Sequence, residues 1–183
     1  MRATVALVTA ALLLSACGKG QQAANESGDA ALNYSQQVSA DSLPADAVKI
    51  PMKEFMGHVM QFGGDSIWKW QGFITDSTGE HALQPKNEKE WTEAESGALT
   101  LAEITNILML PGRRIDDPAW DKAVAGVRDV ALRAAEAAKN KNYDKFFEIG
   151  GELDAACEAC HVKFVPNYQA PPELKVNTPP PAK

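Results

Sequence analysis

The chain is poor in the residues from which most catalytic and metal centres are built. It has three cysteines and three histidines in 183 residues. Three cysteines allow one pair at most, which excludes a disulfide-dense scaffold and a zinc site made of two cysteine pairs. No glycine-rich phosphate loop, metal-hydrolase motif or nucleophile constellation occurs. The usual signatures of phosphoryl transfer and hydrolysis are therefore missing, and no enzyme activity is expected. Positive charge is in deficit: 18 Lys and Arg stand against 24 Asp and Glu, a formal net charge of −6. That balance leaves no footprint for nucleic acid and suits weak, salt-sensitive docking to basic partners. Long apolar runs are absent too. The run from Val5 to Leu14 is about half of what a membrane-spanning helix needs.

What is present gathers near the C-terminus, in Ala156-Cys157-Glu158-Ala159-Cys160-His161. C-x-x-C-H is the attachment signature of a c-type haem. Side chains three and four apart share one face of a helix, so Cys157, Cys160 and His161 can all address one flat macrocycle. The thiols would form two thioether bonds and the imidazole an axial bond to iron, giving one covalent haem c. Two other readings use the same residues. In an exported protein the cysteines can form a disulfide or a redox pair. They can also bind zinc, with only His58 and His81 left as further histidines.

The N-terminus sets the compartment. Arg2, the short apolar run and the small residues before Cys17 make a secretory signal over residues 1–16. Leu14-Ser15-Ala16-Cys17 resembles the bacterial lipobox, which implies cleavage before Cys17 and lipid attachment there. All three cysteines are then assigned and no disulfide is left to expect. The expected location is the bacterial cell envelope, with the protein held to a membrane by more than one acyl chain and facing the periplasm, since one chain alone binds only marginally. Gly18 in place of Asp resembles sorting patterns of some Gram-negative bacteria that favour the outer membrane.

Residues 17–46 read as a polar tether, 47–168 as one domain, and the proline-rich stretch 169–183 as an extended tail. Four amphipathic helices are predicted. The first starts at Pro51 and turns Met52, Phe55, Met56, Val59, Met60, Gly63 and Ile67 inward. The second starts at Asn87 with Glu90 three residues on, as in a capping box, and stops at Pro111-Gly112. The third opens on Asp117-Pro118 with a stripe of Trp120, Val124, Val127, Ala131, Ala134 and Ala138. The fourth runs from about Tyr143 to Val165 with Phe146, Phe147, Gly150, Leu153, Cys157, Cys160 and Phe164 facing in. Mostly short connections make this an all-α, antiparallel four-helix bundle with a C-terminal covalent haem-attachment motif. The longest connection, Asp76 to Lys86, reads as a loop.

With the attachment motif near the end of the last of four helices, residues 48–168 resemble class II cytochromes c, the group that includes cytochrome c-prime. Met56-Gly57-His58-Val59, Asp65, Trp68, the stretch Ala102 to Leu108, Pro111-Gly112 and Trp120 carry the rest of the resemblance. Phe62 departs from it, where a proline is expected. The resemblance implies that the first helix supplies either a methionine to the sixth iron position or an apolar residue that leaves it open. Met56 matches the ligand position best and Met60 is in reserve; His58 is a rival on the flank, and His81 lies in loop-like sequence. A His161/Met56 pair implies an electron carrier between exported or membrane redox proteins, its potential raised by neutral sulfur and by an aromatic shell of Phe55, Trp91, Trp120 and Phe147. An open site implies a binder of nitric oxide or a similar small ligand. A homodimer stays open as an option.

Overall fold

Four long helices carry the chain, and the local sequence accounts for where each begins. The computed structural model describes Tyr34 and residues 37–169; the expected signal segment, Cys17, most of the tether and the tail beyond residue 169 lie outside the described residues. Helix α1, residues 52–68, follows Pro51. It is not uniform. Met52–Glu54 and Gln61–Trp68 are α-helical, and Phe55–Met60 between them forms a π-helical turn. Helix α2 (Glu88–Ile104) begins behind Asn87, whose side chain accepts the Glu90 N–H at 3.1 Å. The Glu90 carboxylate accepts from the Lys86 N–H at 2.6 Å, so the capping box closes one residue earlier than usual. A 3₁₀ turn, Thr105–Met109, finishes this arm before Pro111. Helix α3 (Pro118–Lys139) has Asp117 as its cap and proline in its first turn.

Helix α4 (Tyr143–Phe164) follows after a tight reversal. The Asn142 N–H donates to Ala137 O and the Lys141 N–H to Ala138 O, both at 2.9 Å. This pairing is a Schellman motif, with Lys141 at φ +52 in the position that favours glycine. Asn142 then caps α4 by accepting the Lys145 N–H.

Helix α3 lies between α2 and α4, while α1 packs on α2 and more lightly on α4. Ala131, Ala134 and Ala138 of α3 are fully buried; small side chains there let the neighbouring helices approach. Phe55, Ile67, Leu101, Phe146 and Leu153 complete the shared core. No helix among the described residues is long and apolar enough to cross a membrane.

The fold is thus mostly helical, with one addition to the expected elements. Strands β1 (Phe73–Asp76) and β2 (Gly79–Ala82) form a small antiparallel ribbon where the sequence reading has a loop and an all-α class. Asp76 accepts from the Thr78 N–H and hydroxyl, and Gly79 takes φ +126; together they close a two-residue turn. Two further expectations change. The sequence pattern turns Phe147 inward with Phe146, but consecutive residues of a helix point about 100° apart, and Phe147 is exposed beside Tyr143. The packed body also begins before residue 47. Leu43 is buried, the Ser39 N–H donates to Gly112 O, and the Gln37 side chain accepts the Asp116 N–H.

Candidate functional site

A cavity of about 610 Å³ lies among the four helices, within the range of pockets that take a cofactor, about 300–1,000 Å³. Helix α4 presents Asp154, Cys157, Glu158, Cys160 and His161 to it, and Tyr168 adds to that side from beyond the helix end. Helix α1 contributes Met56, Met60, Gln61, Gly64 and Trp68. Leu101 and Leu108 come from the α2 arm, and Ala123, Val124 and Val127 from α3. The wall is therefore aliphatic on the side of α3 and the α2 arm, with sulfur and nitrogen donors on α4, thioethers on α1, and carboxylates only on the α4 side.

The position of α4 relative to α1 is set by two polar ties. Trp68 Nε1 donates to Gly150 O at 3.1 Å, and Gln71 Nε2 donates to Phe146 O at 3.0 Å. Gly150 permits this approach, because a Cβ there would lie 1.6 Å from the Gln71 side chain. Hydrogen-bonded so, the C-terminal half of α1 faces α4 two helical turns before Cys157.

Cys157 and Cys160 are free and half-buried. Burial pushes the Cys157 thiol up to about 11, with Asp154 acting in the same direction, and burial pushes Cys160 up to about 11 as well. Both stay protonated near neutrality, which is unlike the depressed values of a reactive redox dithiol. Burial lowers the pKa of His161, which leaves its imidazole neutral with a lone pair to offer. Its ring stands 5.5 Å from that of Tyr168, tilted by 53°. Among the described residues no three His, Cys, Asp or Glu side chains are grouped to hold a metal ion.

The end of α4 is fastened to the start of the described chain. The Tyr34 hydroxyl donates to Asp117 Oδ2 at 2.7 Å, and Lys163 Nζ lies 3.0 Å from the same oxygen. The Tyr34 hydroxyl, the Ala119 N–H and Lys163 hold the Asp117 carboxyl down to about 2. Phe164 is packed edge-on by both Tyr34 and Trp120, with ring centroids 5.1 Å apart in each pair.

Met56 and Met60 both reach the cavity, while Met52 packs at the edge of the core. His58 is exposed, and His81 sits in the ribbon beside Thr78 and Asp76. The aromatic shell expected around the site is elsewhere: none of Phe55, Trp91, Trp120 and Phe147 lines the cavity, and Trp68 and Tyr168 do. Asp154 and Glu158 were readable, since Asp154 stands three before Cys157 and Glu158 three before His161 along the helix. Tyr168, beyond Pro166, had no such signal.

Sequence reasoning also missed Arg113. It is 3% exposed. Its guanidinium carbon lies 4.4 Å from the centre of the Phe55 ring, and one terminal nitrogen donates to Ile50 O at 3.1 Å. Its Nε has no partner in the structure. A cation stacked on a desolvated ring is worth about 2 kcal/mol or more, which offsets part of the cost of burying the charge. Gly112, at φ +83, turns the chain so that Arg113 enters the interior. A Cβ there would lie 2.7 Å from Ser39 O and 2.8 Å from Leu43 N.

No protein-family model, no curated protein and no solved structure matches this chain.

Proposed function

We propose that the chain is a lipid-anchored, mono-haem c-type cytochrome of the class II kind, an antiparallel four-helix bundle that passes single electrons between exported or membrane redox partners. One observation carries the reading: Cys157, Cys160 and His161 of one motif, and Met56 from far earlier in the chain, line one largely apolar cavity of cofactor size. Haem fits that donor set. Cys157 and Cys160 would hold it through thioether bonds, and His161 and Met56 would be the protein's ligands to its iron. A haem bound there supplies an iron centre that gains and loses one electron.

The chain's own residues bias that exchange. The neutral thioether of Met56 favours the lower charge of the reduced state. Leu101, Leu108, Val124 and Val127 line the cavity with apolar surface, which would oppose the extra positive charge of the oxidised state. Asp154 and Glu158 act in the other direction, since a nearby carboxylate stabilises positive charge. Acidic lining on the α4 side and the net charge of −6 suit docking to basic partners at low salt. Lipid at Cys17 would keep these encounters at a membrane surface of the cell envelope, facing the periplasm.

The test is an optical spectrum of the matured protein, oxidised and reduced, with and without carbon monoxide, beside haem staining on a denaturing gel. A stained band and a six-coordinate, low-spin spectrum are expected. Met56→Ala should open one axial position, lower the potential and let carbon monoxide bind quickly. A matured product with no covalent haem overturns the proposal. Rapid carbon monoxide binding by the unsubstituted reduced protein replaces electron transfer with the open-site reading, a binder of nitric oxide or a similar small ligand.

A further inference from the structure

The π turn in α1 has a cause in the core. In a regular α-helix, residues five apart point about 140° away from each other. Phe55 and Met60 are five apart, yet Phe55 is 1% and Met60 9% exposed. The widened turn, in which the Gln61 N–H donates to Met56 O, brings five-apart residues into line and lets both be buried. Met56, next to Phe55, is left at the cavity.

What holds Phe55 is Arg113. Its guanidinium lies over the Phe55 ring and its terminal nitrogen donates to Ile50 O. These two contacts bracket the first turn of α1 on either side, at a carbonyl just before the helix and at the first residue of the π turn. The fork of the guanidinium is planar and rigid, so it fixes both at once. Its entry into the interior depends on the Pro111-Gly112 turn, against which Ser39 and Leu43 close. Arg113 itself does not line the cavity.

We infer that Arg113 is a positioning residue for Met56: by clamping Ile50 and Phe55 it holds the π turn in the register that turns Met56 to the cavity. The inference rests on the proposed iron–Met56 bond, and the test separates the two. In the reduced holoprotein, carbon monoxide enters only through the fraction of molecules in which Met56 is off the iron, so its apparent rate scales with that fraction.

The experiment measures carbon monoxide association and the sulfur-to-iron charge-transfer band in Arg113→Met, Arg113→Lys, Phe55→Leu, the Arg113→Met/Phe55→Leu pair, Met56→Ala and Leu153→Ala. Arg113→Met is expected to bind on the order of tenfold faster than the parent, with a weakened band. Arg113→Lys, which keeps the charge and loses the flat stack, should fall between. Phe55→Leu should behave as Arg113→Met, and the pair no worse than either alone. Leu153→Ala, a core truncation outside the Arg113 contacts with Phe55 and Ile50, should melt earlier with parent rate and band. If Arg113→Met does not fold, Arg113→Lys carries the test. A parent rate and band in a folded Arg113 variant, with Met56→Ala fast, overturns the positioning role alone. No change in Met56→Ala overturns the ligand assignment instead.

Discussion

Helices α3 and α1 do different work, and their backbones differ accordingly. Helix α3 is a regular α-helix of 22 residues with nine of them buried, in unbroken 3.6-residue register from its Asp117 cap to its last turn. Helix α1 is shorter, changes its winding in the middle, and depends on a buried cation for the placement of its first turn. The regular helix serves packing, for which any small apolar residue in register suffices. The irregular one brings one side chain to one place, for which register alone does not suffice. The lesson is that departure from the repeat marks where position matters more than burial.

Substitutions that uncouple stability from the state of the site would sharpen or break this contrast. The largest effect is expected at Leu153, fully buried on α4 opposite α3. Leu153→Ala should cost about 2–5 kcal/mol in thermal or denaturant unfolding and leave the spectrum of the haem-bound protein unchanged. A shifted spectrum would mean that core packing one turn before Cys157 on α4 also tunes the site. Gly112→Ala comes next. It places a side chain at φ +83 against Ser39 and Leu43 and should cost about 1–3 kcal/mol. Through Arg113 it should also weaken the Met56 signature. Stability lost without spectral change would cut the chain of contacts from Gly112 to Met56.

The acid response follows. Asp117 titrates at about 2 in the folded protein, against an ordinary value of 3.8. A depressed carboxylate adds stability that is fully present above the ordinary value and is lost as pH falls towards the folded one. Asn caps a helix as well as Asp. Asp117→Asn should therefore keep the α3 start and remove the part of the acid transition between about pH 4 and pH 2. The smallest effect is a gain. Lys141 holds φ +52, and Lys141→Gly should raise stability by about 1 kcal/mol, less the exposed pair with Glu88. A loss would show that this pair outweighs the backbone strain.

Much of the regular half was legible from the residues. Asn87 with Glu90, Asp117 with Pro118, and the stripe from Trp120 to Ala138 announce their helices through capping chemistry and a fixed period. Cys157, Cys160 and His161 were legible because their spacing is itself the signal. The irregular half was not. A search at 3.6 residues per turn cannot see a turn of a different width, so Phe55 and Met60 read as neighbours on a broad stripe. Arg113 carries no signal in the sequence, since only the folded chain brings Phe55 beneath it. The ribbon was lost because the short run of Phe73 and Ile74 is exposed and has no alternating pattern to detect.

The fastening of Tyr34 to Asp117 and Phe164 bears on how far the protein can roam. Were the residues after Cys17 the polar tether that their composition predicts, one ending at residue 46 would be twenty-nine residues long and one ending at Tyr34 seventeen. Drawn taut, that length covers about 60 Å. It would leave the body beside Phe164, three residues past His161. A molecule acylated at Cys17 would then be moored by the same end that bears the imidazole, and its working range would be a thin layer over the lipid.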